Sequence, residues 1–295
     1  MELMDRDLVS IQEVRNLIRQ AKAGQKKLAA MTRDEIDNIV RAVADAAYDD
    51  AERLGRLACE ETGFGVAADK TIKNRFAAKA VYESIKDMKT VGVIREDQRN
   101  RVYDIAVPVG VIAALIPSTN PTSTVIYKAL IAIKSGNAIV FSPHPGAKNC
   151  IIETVAAVMK AAVSAGCPEG VIGCIQMPTI ESANELMRHN DTALILATGG
   201  GAMVKAAYSS GNPAIGVGPG NGPAFIERTA DIPLAVKRII DSKTFDNGVI
   251  CASEQSIVTE KCIENNVIAE LEKQGAYFLP DKDKAKVAGV LMRPN

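Results

Sequence analysis

The chain has 295 residues, 47% of them hydrophobic and 24% charged, a globular mixture long enough for a sizeable core and one or two domains. Lys+Arg and Asp+Glu both number 35, so the formal net charge is zero. Without a basic excess there is no general attraction to nucleic-acid backbones or anionic lipid, which excludes both as general partners.

Residues 1–12 carry Asp5 and Asp7 and no apolar run behind a basic end, unlike a secretory signal. Two amphipathic helices are expected next. Leu8, Ile11, Val14 or Arg15, and Ile18 line one stripe, and Ile36, Ile39, Val40 and Val43 line another. Thr32-Arg33-Asp34-Glu35 has the form of a capping box and should start the second helix. The first hundred or so residues read as helical and structural.

From Tyr103 onward the texture alternates between strand and helix. Apolar, β-favouring runs fall at 111–116, 138–141, 171–175, 193–196 and 214–217. Helical patterns at 123–134, 149–165, 180–188 and 202–208 separate them, with Gly136 and Gly166 where helix C-caps belong. This predicts an α/β fold: a doubly wound parallel sheet, covered on both faces and preceded by a helical segment. The apolar stretch 107–117 is too short to cross a membrane and contains Pro108 and Gly110. The charged run 281–286 reads as a solvated turn or helix face.

Ligands of such sheets lie beyond the carboxyl ends of the strands, so those segments are the candidates for chemistry. The first strand runs into Pro117-Ser118-Thr119-Asn120-Pro121, a stiff polar loop opening a helix. The alternative for that loop is a simple N-capped turn. The second strand leads into Ser142-Pro143-His144-Pro145, where His144 can line a nucleotide site without acid–base work. The fourth leads into Thr198-Gly199-Gly200-Gly201, whose small residues let a pyrophosphate approach a helix N-terminus. The fifth leads into a second glycine-rich loop, 216–223. His189, near a helix end, complements the helix dipole. The six cysteines are scattered, without a CxxC pair or a histidine cluster, which argues against disulfide or zinc frameworks and for a reducing, cytoplasmic setting. Cys59, Cys150, Cys167, Cys174 and Cys262 read as inert buried thiols. Cys251 differs, because it follows an Asn247-Gly248 turn signal and could sit at a tight backbone corner.

Three stretches together, PSTNPTSTVIYKALIAIKSGNAIVFSPHP (117–145), LILATGGGAMVKAAYSSGNPAIGVGPGN (194–221) and SKTFDNGVICASEQ (242–255), resemble the coenzyme-A-acylating branch of the aldehyde dehydrogenase superfamily. The likeness is nearest to the N-terminal half of bifunctional aldehyde–alcohol dehydrogenases and covers essentially the whole chain. It implies that Cys251 is the nucleophile, forming a thiohemiacetal and then an acyl thioester, with NAD taking the hydride and coenzyme A the acyl group. It implies oxyanion donors at the Cys251 backbone N–H and at Asn120, although hydrolytic relatives place the asparagine one residue earlier, at the position of Thr119. It also implies cofactor contacts at Leu115, Ile116, Pro117, Ser118, Thr119 and Asn120, at Ser142, Pro143 and His144, and at Thr198, Gly199, Gly200, Val217 and Gly218.

Departures from hydrolytic relatives sharpen the expectation. Their glutamate base is matched here by Gly216, and their ribose-binding lysine by Ser142. The expected substrates are therefore a short aldehyde, acetaldehyde first, and acyl-CoA, within a family whose full-length members are homo-oligomers. The resemblance also implies a catalytic domain continuing beyond the cysteine, with a Glu-x-[Phe/Leu]-x-Pro stretch. None of Glu254, Glu260, Glu264, Glu270 or Glu272 begins that pattern. The expected organisation is an NAD(H)-binding domain over 1–250, helices included, and the incomplete start of a catalytic domain over 251–295. The competing expectation is an inactive fragment that binds dinucleotide or coenzyme A, or serves as an assembly partner.

Overall fold

The computed structural model describes residues 5–291. Helices α1 (Arg6–Leu28), α2 (Arg33–Asp49), α3 (Ala51–Thr62) and α4 (Ala67–Arg75) come first; the first three bury an apolar stripe and α4 a polar one. In α1 that stripe is Val14, Ile18, Ala21 and Leu28; in α2 it is Ile36, Ile39, Val40 and Val43. The Thr32–Glu35 capping box is formed as expected, each partner satisfying the other's backbone N–H. A π-helical turn (Phe76–Ala80) and α5 (Val81–Ile85) follow. An antiparallel pair follows, β1 (Gly92–Asp97) and β2 (Val102–Ala106), and β1 stands where helix was expected. Its side chains Val93, Val102, Tyr103 and Ile105 are exposed, so no one-sided burial shapes the sequence pattern there.

The alternating segment forms β3 (Val111–Leu115), α6 (Pro121–Lys134), β4 (Ala138–Ser142), α7 (Lys148–Ser164), β5 (Ile172–Cys174), α8 (Ile180–Arg188), β6 (Thr192–Thr198), α9 (Gly201–Tyr208) and β7 (Ala214–Val217). These strands make one parallel sheet in the order β5-β4-β3-β6-β7. Every residue of β3 and β4 is buried, which explains the unbroken apolar runs. The chain moves outward one way through β4 and β5 and the other way through β6 and β7. The crevice at the carboxyl ends of β3 and β6 is therefore the topological switch point.

Carboxylates of the opening helices cap elements of the sheet domain. Glu13 accepts from the backbone N–H groups of Gln176 and Met177 at 2.6 and 3.1 Å, and Glu61 from those of Asn149 and Cys150 at 2.8 and 2.6 Å. The second pair satisfies orphan donors at the start of α7. Arg15 pairs with Glu185 at 2.7 Å, and the Ser10 and Thr179 hydroxyls share a hydrogen bond of 2.8 Å, so α1 is fastened to α8.

The contacts divide the chain between Pro219 and Gly220. The division expected at 250/251 lies inside the second unit, because β8 (Gly222–Ile226) pairs in parallel with β9 (Glu254–Thr259) across the connecting helix α10 (Ile232–Thr244). Helices α11 (Glu264–Lys273) and α12 (Asp281–Leu291) complete the unit, and the charged run lies on α12. Its core is small: Ile226, Val236, Ile263, Val267 and Leu271. Among the described residues, no helix is long and apolar enough to cross a membrane.

Candidate active site

A cleft of about 590 Å³ opens at the carboxyl ends of β3, β4 and β6. Its floor and walls are Leu115, Ile116 and Pro117 after β3, Ser142, Pro143 and His144 after β4, and Thr198, Gly199 and Gly200 after β6. The far wall comes from Pro178 and Thr179, from one face of α8 as far as Met187, and from Ala202, Met203 and Ala206 of α9. A Cβ built on Gly200 or Gly201 meets nothing within 4 Å, so the start of α9 is open to a ligand. His144 caps a short helical turn, its Nδ1 accepting from the Gly146 N–H at 3.0 Å, and partial desolvation lowers its pKa. An imidazole held neutral as an acceptor suits a lining role better than proton transfer.

Beneath the cleft lies Lys128, 1% exposed. Its ammonium donates to the carbonyls of Leu115 and Leu196 at 2.9 and 2.8 Å, tying the ends of β3 and β6 together at the switch point. Burial pushes its pKa down to about 7.

Two further lysines reach the loop before α6 from one face of α4. Lys70, 2% exposed, donates to the Thr119 carbonyl at 3.0 Å, and Lys73, 9% exposed, donates to Asn120 Oδ1 at 2.7 Å. Asn74 completes the seam, donating to the Ala51 carbonyl at 3.0 Å and accepting from Thr122 Oγ1 at 2.7 Å. The Asn120 amide is thereby oriented, its oxygen taken by a cation and its Nδ2 donating to the Thr119 hydroxyl at 3.4 Å.

At the end of β7, Gly216 donates its N–H to the Tyr208 hydroxyl at 2.9 Å. A Cβ at this position would lie 2.6 Å from Val204 Cγ1 and 2.8 Å from Tyr208 Cε2. The space a side chain would need is filled by α9.

In the second unit, Asp246, Asn247 and Gly248 all have left-handed backbone, with φ of 51, 54 and 70°. Such a run is costly for non-glycine residues and is found where the surroundings impose it. It turns the chain into a second bend, in which the Ser253 N–H and Oγ both bond the Ile250 carbonyl at 3.3 and 3.1 Å. Cys251 occupies that bend, the tight corner its turn signal implied, and is exposed. Cys150, Cys167 and Cys174 are buried, and desolvation raises their pKa, for the last two up to about 12. Cys262 is exposed, contrary to the expectation of a buried thiol, because it lies in the turn that leads into α11.

The family model of the aldehyde dehydrogenase family matches residues 3–284. The chain belongs to the aldehyde dehydrogenase family. The bifunctional aldehyde-alcohol dehydrogenase of Escherichia coli K12 is 46% identical over 97% of this chain, which spans 32% of that relative. The crystal structure of an acetylating aldehyde dehydrogenase from Geobacillus thermoglucosidasius superposes with a TM-score of 0.95 at 59% identity, covering 99% of this chain and 64% of that one. A Rhodopseudomonas palustris propionaldehyde dehydrogenase, solved with bound CoA and an acylated cysteine, is 31% identical with a TM-score of 0.84, covering 94% of this chain and 63% of that one. This aldehyde dehydrogenase chain thus spans about a third of the curated relative it matches.

Within this aldehyde dehydrogenase chain the cleft gathers the residues expected after β3, β4 and β6, from Leu115 to Gly200. Ser118, Thr119 and Asn120 lie outside its lining; the last two are held to α4 instead. Val217 and Gly218 also lie outside it, and Val217 is exposed at the end of β7. Sequence reading missed Lys70, Lys73 and Lys128, since lysines in helical patterns read as solvated. It also missed the wall at the start of α8, for which the Thr179–Ser182 capping box was an available signal.

Proposed function

We propose that this chain carries the dinucleotide cleft and nucleophile of an acylating aldehyde dehydrogenase, which oxidises a short aldehyde to acyl-CoA, acetaldehyde first, and runs in reverse. The observation that carries this reading is Gly216, where no side chain fits against Val204 and Tyr208. A water nucleophile, with a pKa of about 15.7, needs a strong base, whereas a thiol near about 8.5 does not. A site without room for that base suits transfer to a thiol.

The cleft fits a dinucleotide. Its apolar slot, with Pro143 and Ile180 among the lining, suits a base, and the open Gly200–Gly201 start of α9 suits a phosphate. NAD, when bound there, supplies the acceptor for the hydride that the aldehyde carbon loses. Ser142, Pro143 and His144 would hold the nucleotide end and Leu115 to Pro117 the floor. Lys128 keeps the ends of β3 and β6 in register beneath it. Cys251 adds its thiolate to the carbonyl, its own N–H receives the developing oxyanion, and the acyl group stays on its sulfur until the thiol of coenzyme A takes it. NAD and coenzyme A are thus the cofactor and co-substrate.

The test is NADH formation from acetaldehyde, NAD and coenzyme A, with Cys251→Ala as control. NADH that depends on both coenzyme A and Cys251 is expected. NADH without coenzyme A would indicate hydrolysis, and none above the variant's background would leave the chain as a binding domain only.

A further inference from the structure

We propose that Gly220 is a positioning residue for Cys251, the second glycine-rich loop serving the nucleophile rather than a phosphate. The inference rests on the reading of Cys251 as the acyl-accepting thiol. Gly220 is not among the residues with left-handed backbone, so conformation alone does not require glycine there. Space does. A Cβ at 220 would overlap the carbonyl oxygen of Cys251 and lie 3.1 Å from its carbonyl carbon. Both are backbone atoms, which cannot give way as a flexible side chain would. Gly216 is also crowded, but by side chains of α9, whereas a Cβ at Gly222 finds nothing nearer than the Ser253 carbonyl oxygen at 3.8 Å, and one at Gly218 nothing nearer than Val204 Cγ2 at 3.8 Å.

The β8–β9 register explains the approach. Gly222 stands opposite Glu254, so the parallel strands continued backward bring the loop alongside Cys251. The nucleophile is then fixed from two directions within one unit. The left-handed run at 246–248 and the 250–253 bend set the peptide before it, and Gly220 sets the carbonyl after it. The thiol's aim and the direction of the Cys251 N–H both follow from that backbone.

The experiment compares two reactions of one thiol in the full chain. In acetyl transfer from acetyl-CoA, a bond forms from the Cys251 sulfur to the acetyl carbon, the bond from that carbon to the CoA sulfur breaks, and CoA leaves as its thiolate. The carbonyl oxygen carries negative charge on the way and needs the backbone donor. Alkylation by iodoacetamide needs only an accessible thiolate. Peptide mass analysis follows Cys251, with exposed Cys262 as internal reference and buried Cys150, Cys167 and Cys174 as reporters of folding. In Gly220→Ala, acetyl transfer to Cys251 should slow roughly ten- to a hundred-fold, while alkylation of Cys251 and Cys262 holds and the buried thiols stay protected. Gly222→Ala should match the wild type.

Acetyl transfer unchanged in Gly220→Ala would overturn the proposal while leaving Cys251 as the nucleophile. No acetyl transfer in the wild type would overturn that underlying reading, and the proposal with it. If Gly220→Ala exposes the buried thiols, Gly220→Ala/Ala252→Gly decides, since a glycine at 252 lets the Cys251 carbonyl swing clear of the new methyl. Folded protein with acetyl transfer well below that of Ala252→Gly alone supports the proposal, and equal rates overturn it.

Discussion

Lys73 holds the side-chain oxygen of Asn120 at 2.7 Å, from a position on α4 with 9% exposure. Taking an ammonium out of water costs several kcal/mol, so its partner has to be worth holding. With Oδ1 occupied by a cation, the amide is polarised and its Nδ2–H group becomes the stronger donor.

Lys73→Met leaves Asn120 Oδ1 without its ammonium donor and should lower the urea midpoint, a cost of about 1–3 kcal/mol for an acceptor left unsatisfied. Lys73→Arg should restore part of the loss, because a guanidinium can still donate to that oxygen. An unchanged midpoint in Lys73→Met would mean that this hydrogen bond contributes nothing to stability.

Lys128 makes stability depend on pH in a defined direction. In the unfolded chain it keeps its proton through the ordinary lysine range, whereas in the fold it loses it near pH 7. Between those limits the unfolded state binds more protons, so this residue makes stability rise with pH, by up to about 1.4 kcal/mol per unit. The buried thiols of Cys150, Cys167 and Cys174, with raised pKa, act in the opposite sense once unfolded thiols ionise. Comparing Lys128→Met with the wild type isolates the lysine. Urea midpoints at pH 7, 8 and 9 should climb less steeply, or fall, in the variant.

Gly216→Ala should lower the melting temperature, because its methyl would press on Val204 and Tyr208, an overpacking cost of about 1–3 kcal/mol. Gly216→Glu should be still less stable and should not gain CoA-independent aldehyde oxidation. Adding Tyr208→Ala should recover much of the lost stability. No recovery would mean that the tyrosine ring is not what fills the site.

Glu61→Ala should cost about 1 kcal/mol, a typical value for losing a side-chain cap, since Asn149 and Cys150 lose the acceptor for their N–H groups. Chemical denaturation reads the change directly. Glu61→Gln should retain part of the stability, because its amide oxygen can still accept one of the two bonds.

The parallel sheet was legible because β3 and β4 are buried along their whole length and leave continuous apolar runs. The Thr32 cap and the turn before Cys251 were legible because both are local side-chain or backbone chemistry within a few residues. What escaped depends on partners far along the chain. The β1–β2 pair has exposed side chains and no face to pattern, and Lys70, Lys73 and Lys128 look like any helix lysine until their carbonyl and amide partners are in place. The division at Pro219 escaped for the same reason, being set by β8 pairing with β9. Resemblance supplied Cys251 and Asn120, and only three-dimensional packing supplies the groups that hold them.

The carboxylate of Glu13 meets its backbone partner 163 residues downstream. During synthesis α1 leaves the ribosome long before β3, β4, β5 and α8, the elements it packs against, and Val14 and Ile18, fully buried in the finished fold, lack those partners in the interval. Closing so long a loop comes late and is slow. The nascent chain therefore carries an uncovered amphipathic helix until those strands have been made. The step that docks this helix is the one at which premature association, or a chaperone's hold, would be decided.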